Sequence, residues 1–183
     1  MRLCYLIAFL FYITNIKYAK NTIFDHALSN LSEYDFFEKP LKNHIPKKDV
    51  IPYEIASPLF SDYAEKMRFI RVPDGSKILL DDENNFIYPE NTYLIKTFYY
   101  YSDIRDQHSK KHIIETRILK NTSEGWLLFP YVWNKNQTDA KLNLAGARIS
   151  ASWTHFDGNP IEILYSVPNM NQCKNCHTLN NVQ

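Results

Sequence analysis

Glycine is scarce, with four residues in a chain of 183. That excludes collagen-like and glycine-rich phosphate-loop architectures, which need glycine at fixed spacing. Cysteine is scarcer still, at three residues, too few for a disulfide-stapled scaffold. An excess of one charge is also missing. Lys and Arg number 21 and Asp and Glu 20, a formal net charge of +1. The nearest thing to a charge run, Lys47-Lys48, reads as solvated loop. No basic stripe offers a nucleic-acid surface. There is no internal repeat at a fixed period, no nucleophile elbow and no convincing catalytic triad. Asp81-Asp82-Glu83 fall in an expected hairpin turn, where solvation explains them better than acid–base work.

What is present is apolar and aromatic. Hydrophobic residues make up 45% of the chain, with 13 Tyr and 11 Phe. That is enough for one domain with a core, and the aromatics favour strands over helices. Residues 1–19 stand apart. Arg2 opens them, Leu3 to Ile13 is almost unbroken apolar sequence, and Lys17 ends the stretch. The run is short for a bilayer span and predicts a secretory signal peptide cleaved near Ala19. The protein is then expected in the periplasm or cell envelope. Left uncleaved, the segment would associate it with a membrane; a buried first helix is the remaining reading. Cleavage removes Cys4, and with Arg2 and Lys17 gone the formal charge passes from +1 to −1.

Residues 20–50 read as a polar segment with helical hints. Ser32 is placed to cap a short helix through Glu33, Tyr34, Phe36 and Phe37, ending before Pro40. Residues 51–168 read as a β-rich domain. Ile78 to Leu80 and Phe86 to Tyr88 flank the turn Asp81 to Asn85 as a hairpin. Tyr93 to Tyr101 is a long β-branched and aromatic run. His112 to Leu119 is another strand, with Ile114 and Ile118 on one face and Glu115 and Arg117 on the other. Trp126 to Phe129 comes after a turn. Ile149, Ala151, Trp153 and His155 alternate with polar residues, the mark of a half-buried strand. After the turn Asp157 to Pro160, Ile161, Ile163 and Tyr165 do the same. Short strands at this spacing predict an antiparallel β-sandwich or open barrel. Residues 169–183 are left as a short helical segment, with Asn169 as its candidate cap.

That last segment carries the chemistry. Without Cys4, the only thiols are in Cys173-Lys174-Asn175-Cys176-His177. C-x-x-C-H is the attachment signature of haem c. The two sulfurs, one helical turn apart, reach the two vinyl groups of one haem, and the next residue supplies the proximal imidazole. A zinc half-site would need two further ligands, and no second cysteine pair exists. A redox dithiol wants a βαβ context, which is missing. The expected cofactor is one covalent haem c on Cys173 and Cys176, with His177 on the iron. The distal candidates are His155, Met170 and Met67. Met170 precedes Cys173 by only three residues, Met67 suits core packing, and His155 suits a hydrogen-bonded structural role. Trp153, His155, Tyr131 and Trp133 offer aromatic groove lining, although packing explains their bulk more simply.

Several blocks in order resemble a bacterial family of exported c-type cytochromes, some of them dihaem. They are Pro52-Tyr53-Glu54-Ile55-Ala56-Ser57-Pro58-Leu59-Phe60-Ser61-Asp62-Tyr63-Ala64, Lys96-Thr97-Phe98-Tyr99-Tyr100, Glu115-Thr116-Arg117, Pro130-Tyr131-Val132-Trp133-Asn134 and Gln137-Thr138-Asp139-Ala140. Val167-Pro168-Asn169 and the motif complete the series. The resemblance implies an electron-transfer module of the envelope with a redox partner protein. Members of that family continue well beyond the haem motif, whereas six residues come after His177 here. A separately encoded C-terminal half is therefore one expected partner. Three functions are open: an electron carrier, a β-sandwich docking module whose haem site is vestigial or completed by a partner, and a haem-dependent redox enzyme with an open distal site.

Overall fold

A computed structural model describes residues 25–174. The expected signal peptide lies outside them, as do residues 175–183. The fold is mainly β, and its strands run antiparallel. They are β1 (Val50–Pro52), β2 (Glu65–Arg71), β3 (Leu79–Leu80), β4 (Phe86–Ile87), β5 (Tyr93–Tyr101), β6 (Lys111–Thr122), β7 (Gly125–Trp133), β8 (Ala140–Leu142), β9 (Ala147–Thr154) and β10 (Pro160–Val167). Six form one sheet, in the order β1-β2-β5-β6-β7-β8. Its edges are β1 and β8, so the sheet is open. β9 and β10 form a separate ribbon, and β3 and β4 the expected hairpin around Asp81 to Asn85.

Strand alternation gives the sheet two apolar faces. On one, Phe69, Ile95, Ile118, Phe129, Tyr131 and Trp133 pack against Leu31, Tyr34, Phe36, Phe37 and Leu41. On the other, Phe98, Tyr100 and Ile114 pack against Ala151, Trp153, Tyr165 and Val167 of the ribbon. The result is sandwich-like, with the long sheet in the middle. Each fully buried large side chain contributes about 2–3 kcal/mol of transfer free energy. The two aromatic layers therefore hold the N-terminal segment and the ribbon in place.

Two expectations need correcting. The helix capped by Ser32 is a single 3-10 turn, Leu31–Tyr34, flanked by Asn30 and ended by Asp35 at φ 54°. Phe36 and Phe37 are both buried; a helix would have turned one of two consecutive rings away from the sheet. The Ser32 hydroxyl instead donates to Asp139 Oδ2 at 2.6 Å, and its N–H to Oδ1 at 3.1 Å. The segment also closes the β8 edge, with the Leu142 N–H donating to the Ser29 carbonyl at 3.0 Å. What read as a polar link is thus a core layer.

The second correction concerns β6. Ile114 and Ile118 do not share a face. Phe98 pairs with Glu115 and Tyr99 with Ile113, which leaves Ile114 as the extra residue of a bulge. Ile113 and Ile118 face the N-terminal layer, while Ile114 faces the ribbon. Regular alternation from Arg117 puts the Glu115 side chain on the ribbon face too, fully buried, and the bulge adds Ile114 beside it.

Candidate functional site

The strand that precedes the motif is anchored before the motif begins. β10 ends at Val167, and helix α1 (Met170–Lys174) starts three residues later. Asn169 caps it reciprocally. The Gln172 N–H donates to Asn169 Oδ1 and the Asn169 N–H to Gln172 Oε1, both at 2.9 Å, the geometry of a capping box. The Met170 N–H donates to the Leu144 carbonyl at 3.2 Å. Gly146 makes this approach possible. Its φ is +81°, and a Cβ there would lie 2.8 Å from the Val167 oxygen and 3.0 Å from the Asn169 nitrogen. Cys173 falls within α1. Cys176 and His177 lie outside the described residues, so the motif as a whole is not placed.

The distal candidates are scattered. His155 sits where β9 turns into β10, half-buried, its Nδ1 accepting the Trp153 Nε1–H at 3.3 Å. The Tyr63 ring meets it edge-on at 4.8 Å. This is the turn end of the ribbon, whereas α1 continues from its open end. Seven residue steps of β10 separate Pro160 from Val167, about 23 Å at the usual strand rise. Met67 packs against the N-terminal layer, across the sheet from the ribbon. Met170 opens α1 itself. The four aromatic groove candidates are also divided: Tyr131 and Trp133 belong to one face, Trp153 to the other.

The ribbon-side face holds a feature that no sequence motif announced. Arg68 on β2, Lys96 on β5 and Arg117 on β6 are direct cross-strand partners, so three cations stand in a row. Like charges in such positions repel. Glu115 is the buried carboxylate beside them. It accepts from Arg117 Nη2 at 2.6 Å and Nε at 2.9 Å, and from the Tyr165 hydroxyl at 2.7 Å. The Tyr165 phenol is pushed well above its usual range, first by burial and then by the Glu115 charge. Phe98 lies beneath the row, with Lys96 Nζ 4.9 Å and the Arg117 guanidinium carbon 4.3 Å from its ring centre.

The other two cations are less well matched. Arg68 has 5% of its side chain exposed and sits 3.6 Å from Glu54, whose side chain is 85% exposed. Its Nη2 is buried with no hydrogen-bond partner among the described residues. Lys96 is pushed down to about 8, first by burial and then by the charges of Arg68, Arg117 and Lys66. Alternation on β2, β5 and β6 placed these side chains inward, but only register brings them side by side.

Among the described residues, no group of three or more His, Cys, Asp or Glu could hold a metal ion, and no helix is long and apolar enough to cross a membrane. Compared with known protein families, curated proteins and solved structures, the chain matches none.

Proposed function

We propose that this protein is a haem-c-binding electron-transfer protein of the cell envelope. The observation that carries the reading is C-x-x-C-H at residues 173–177, entered through a capped helix start. The Cys173 and Cys176 thiols would each hold the haem through a thioether to one vinyl group, the thiol proton passing to the other vinyl carbon with no net oxidation. His177 would supply an imidazole to the iron. When bound, the haem supplies a one-electron iron couple. The fit to a haem is supported by the ribbon-side face, where a cation row and an unpartnered Arg68 Nη2 suit a group bearing two carboxylates. Of the distal candidates, Met170 shares α1 with Cys173, and His155 stands at the far end of the ribbon.

The test is expression with a haem-c maturation system. Wild type is expected to retain haem through denaturing electrophoresis and to show the pyridine haemochrome α-band of two thioethers. Cys173→Ala should shift that band toward a single thioether. Wild-type protein without covalent haem would overturn the proposal.

A further inference from the structure

We propose that Arg68, Lys96 and Arg117 form an oxyanion-binding site for a ligand bearing a carboxylate or phosphate group. The site stands on the geometry of the sheet. Only its assignment to the propionates of an attached haem rests on the function proposed above.

Three observations support it. The three cations are consecutive in the register of β2, β5 and β6, about 5 Å apart at the backbone. One buried carboxylate, Glu115, answers them, and it is already committed to Arg117 and Tyr165. Arg68 presents a buried, unpartnered Nη2 among the described residues. A guanidinium in that state costs stability unless an acceptor reaches it. An oxyanion between Arg68 and Lys96 would supply one, and would offset the repulsion along the row. Planar guanidinium donors and an ammonium suit that chemistry.

A cleft on the β2 side reaches the row at Arg68; Lys96 and Arg117 are not part of its lining. The cleft, of about 430 Å³, is lined by Lys66 and Arg68 together with Leu59, Phe60 and Tyr63. Its carboxylates are Glu54 and Glu65, both exposed. The Lys66 ammonium is held at the cleft by the Leu59 carbonyl at 2.9 Å. An aromatic and aliphatic wall beside a cationic floor favours an amphipathic acid over a bare ion.

The ligand source is separated by two arms. Haem-free full-length protein is titrated with inorganic phosphate against chloride at matched ionic strength, and thermal unfolding is monitored. Phosphate is expected to raise the midpoint saturably. Lys96→Gln and Arg68→Gln should each weaken its apparent affinity about tenfold; Lys48→Gln should not. The second arm repeats the titration on haem-loaded protein. Loss of the phosphate effect there assigns the site to the propionates, and Lys96→Gln should then shift the haem midpoint potential. Persistence assigns it to a free anion. If no haem attaches, the functional reading fails while the haem-free arm still decides this one. Should the variants not fold, the wild-type titration suffices. Phosphate acting no differently from chloride would overturn the proposal.

Discussion

Glu115→Gln removes one negative charge and almost no volume, so it isolates the electrostatics of the ribbon-side face. Glu115 is fully buried and accepts three hydrogen bonds, two from Arg117 and one from Tyr165. A glutamine keeps one acceptor oxygen and turns an amide N–H₂ toward a guanidinium N–H. Breaking a buried ion pair by removing one partner costs about 3–5 kcal/mol. The Arg117 side chain is 19% exposed and can partly rehydrate, so the lower end, about 3 kcal/mol, is expected. The variant also removes the charge that supports a protonated Lys96, which leaves the repulsion from Arg68 and Arg117 less opposed. Urea unfolding measures the loss, with an unchanged dependence on denaturant as the check that the unfolded state is not altered. The double replacement Glu115→Met, Arg117→Met removes both charges and should lose less than the single variant. A single-variant loss below about 1 kcal/mol, or a double variant no better than the single, would refute the reasoning.

Gly146→Ala should destabilise by about 2–4 kcal/mol, since a positive φ and a Cβ against backbone atoms both penalise it. Because those atoms belong to Val167 and Asn169, the covalent haem yield expected under the proposed function should fall with stability; unchanged unfolding would contradict the close approach. His44 is pushed down from 6.5 to about 4, chiefly by burial, so it is neutral when folded. Stability is present above pH 6.5 and is lost as pH falls toward 4, by about 3 kcal/mol at 1.4 kcal/mol per tenfold change in proton affinity. Unfolding free energies at pH 7, 5.5 and 4 should fall further for wild type than for His44→Asn; parallel curves would rule it out.

The strands were legible because their cause is local. Tyr93 to Tyr101 and Ile149 to Trp153 alternate or concentrate β-branched and aromatic side chains, and the structure has strands there. The hairpin around Asp81 to Asn85 was equally plain: the Asp81 carboxylate accepts the Glu83 and Asn85 N–H groups, a local bond that asparagine-rich turns favour. The N-terminal layer was not legible. Leu31, Tyr34, Phe36 and Phe37 obey neither period, because their spacing is dictated by holes in a sheet formed far along the chain. The Ile114 bulge was hidden for a related reason. One extra residue on β6 exists only relative to β5, and no pattern within β6 marks it.

For the site, the division is sharper. The amino-acid sequence by itself determined the attachment chemistry proposed for Cys173, Cys176 and His177, because two thiols and an imidazole at that spacing are a property of five consecutive residues. The Asn169 cap was legible as well, being a short-range hydrogen bond, but the helix expected to carry both cysteines is described only over Met170–Lys174 and takes in Cys173 alone. Only the tertiary structure decided that His155 and α1 occupy opposite ends of one ribbon. Only it placed Arg68, Lys96 and Arg117 in a row over Phe98. Strand register sets that row, and register is settled by packing on both faces of the sheet at once, which no single segment of the chain contains.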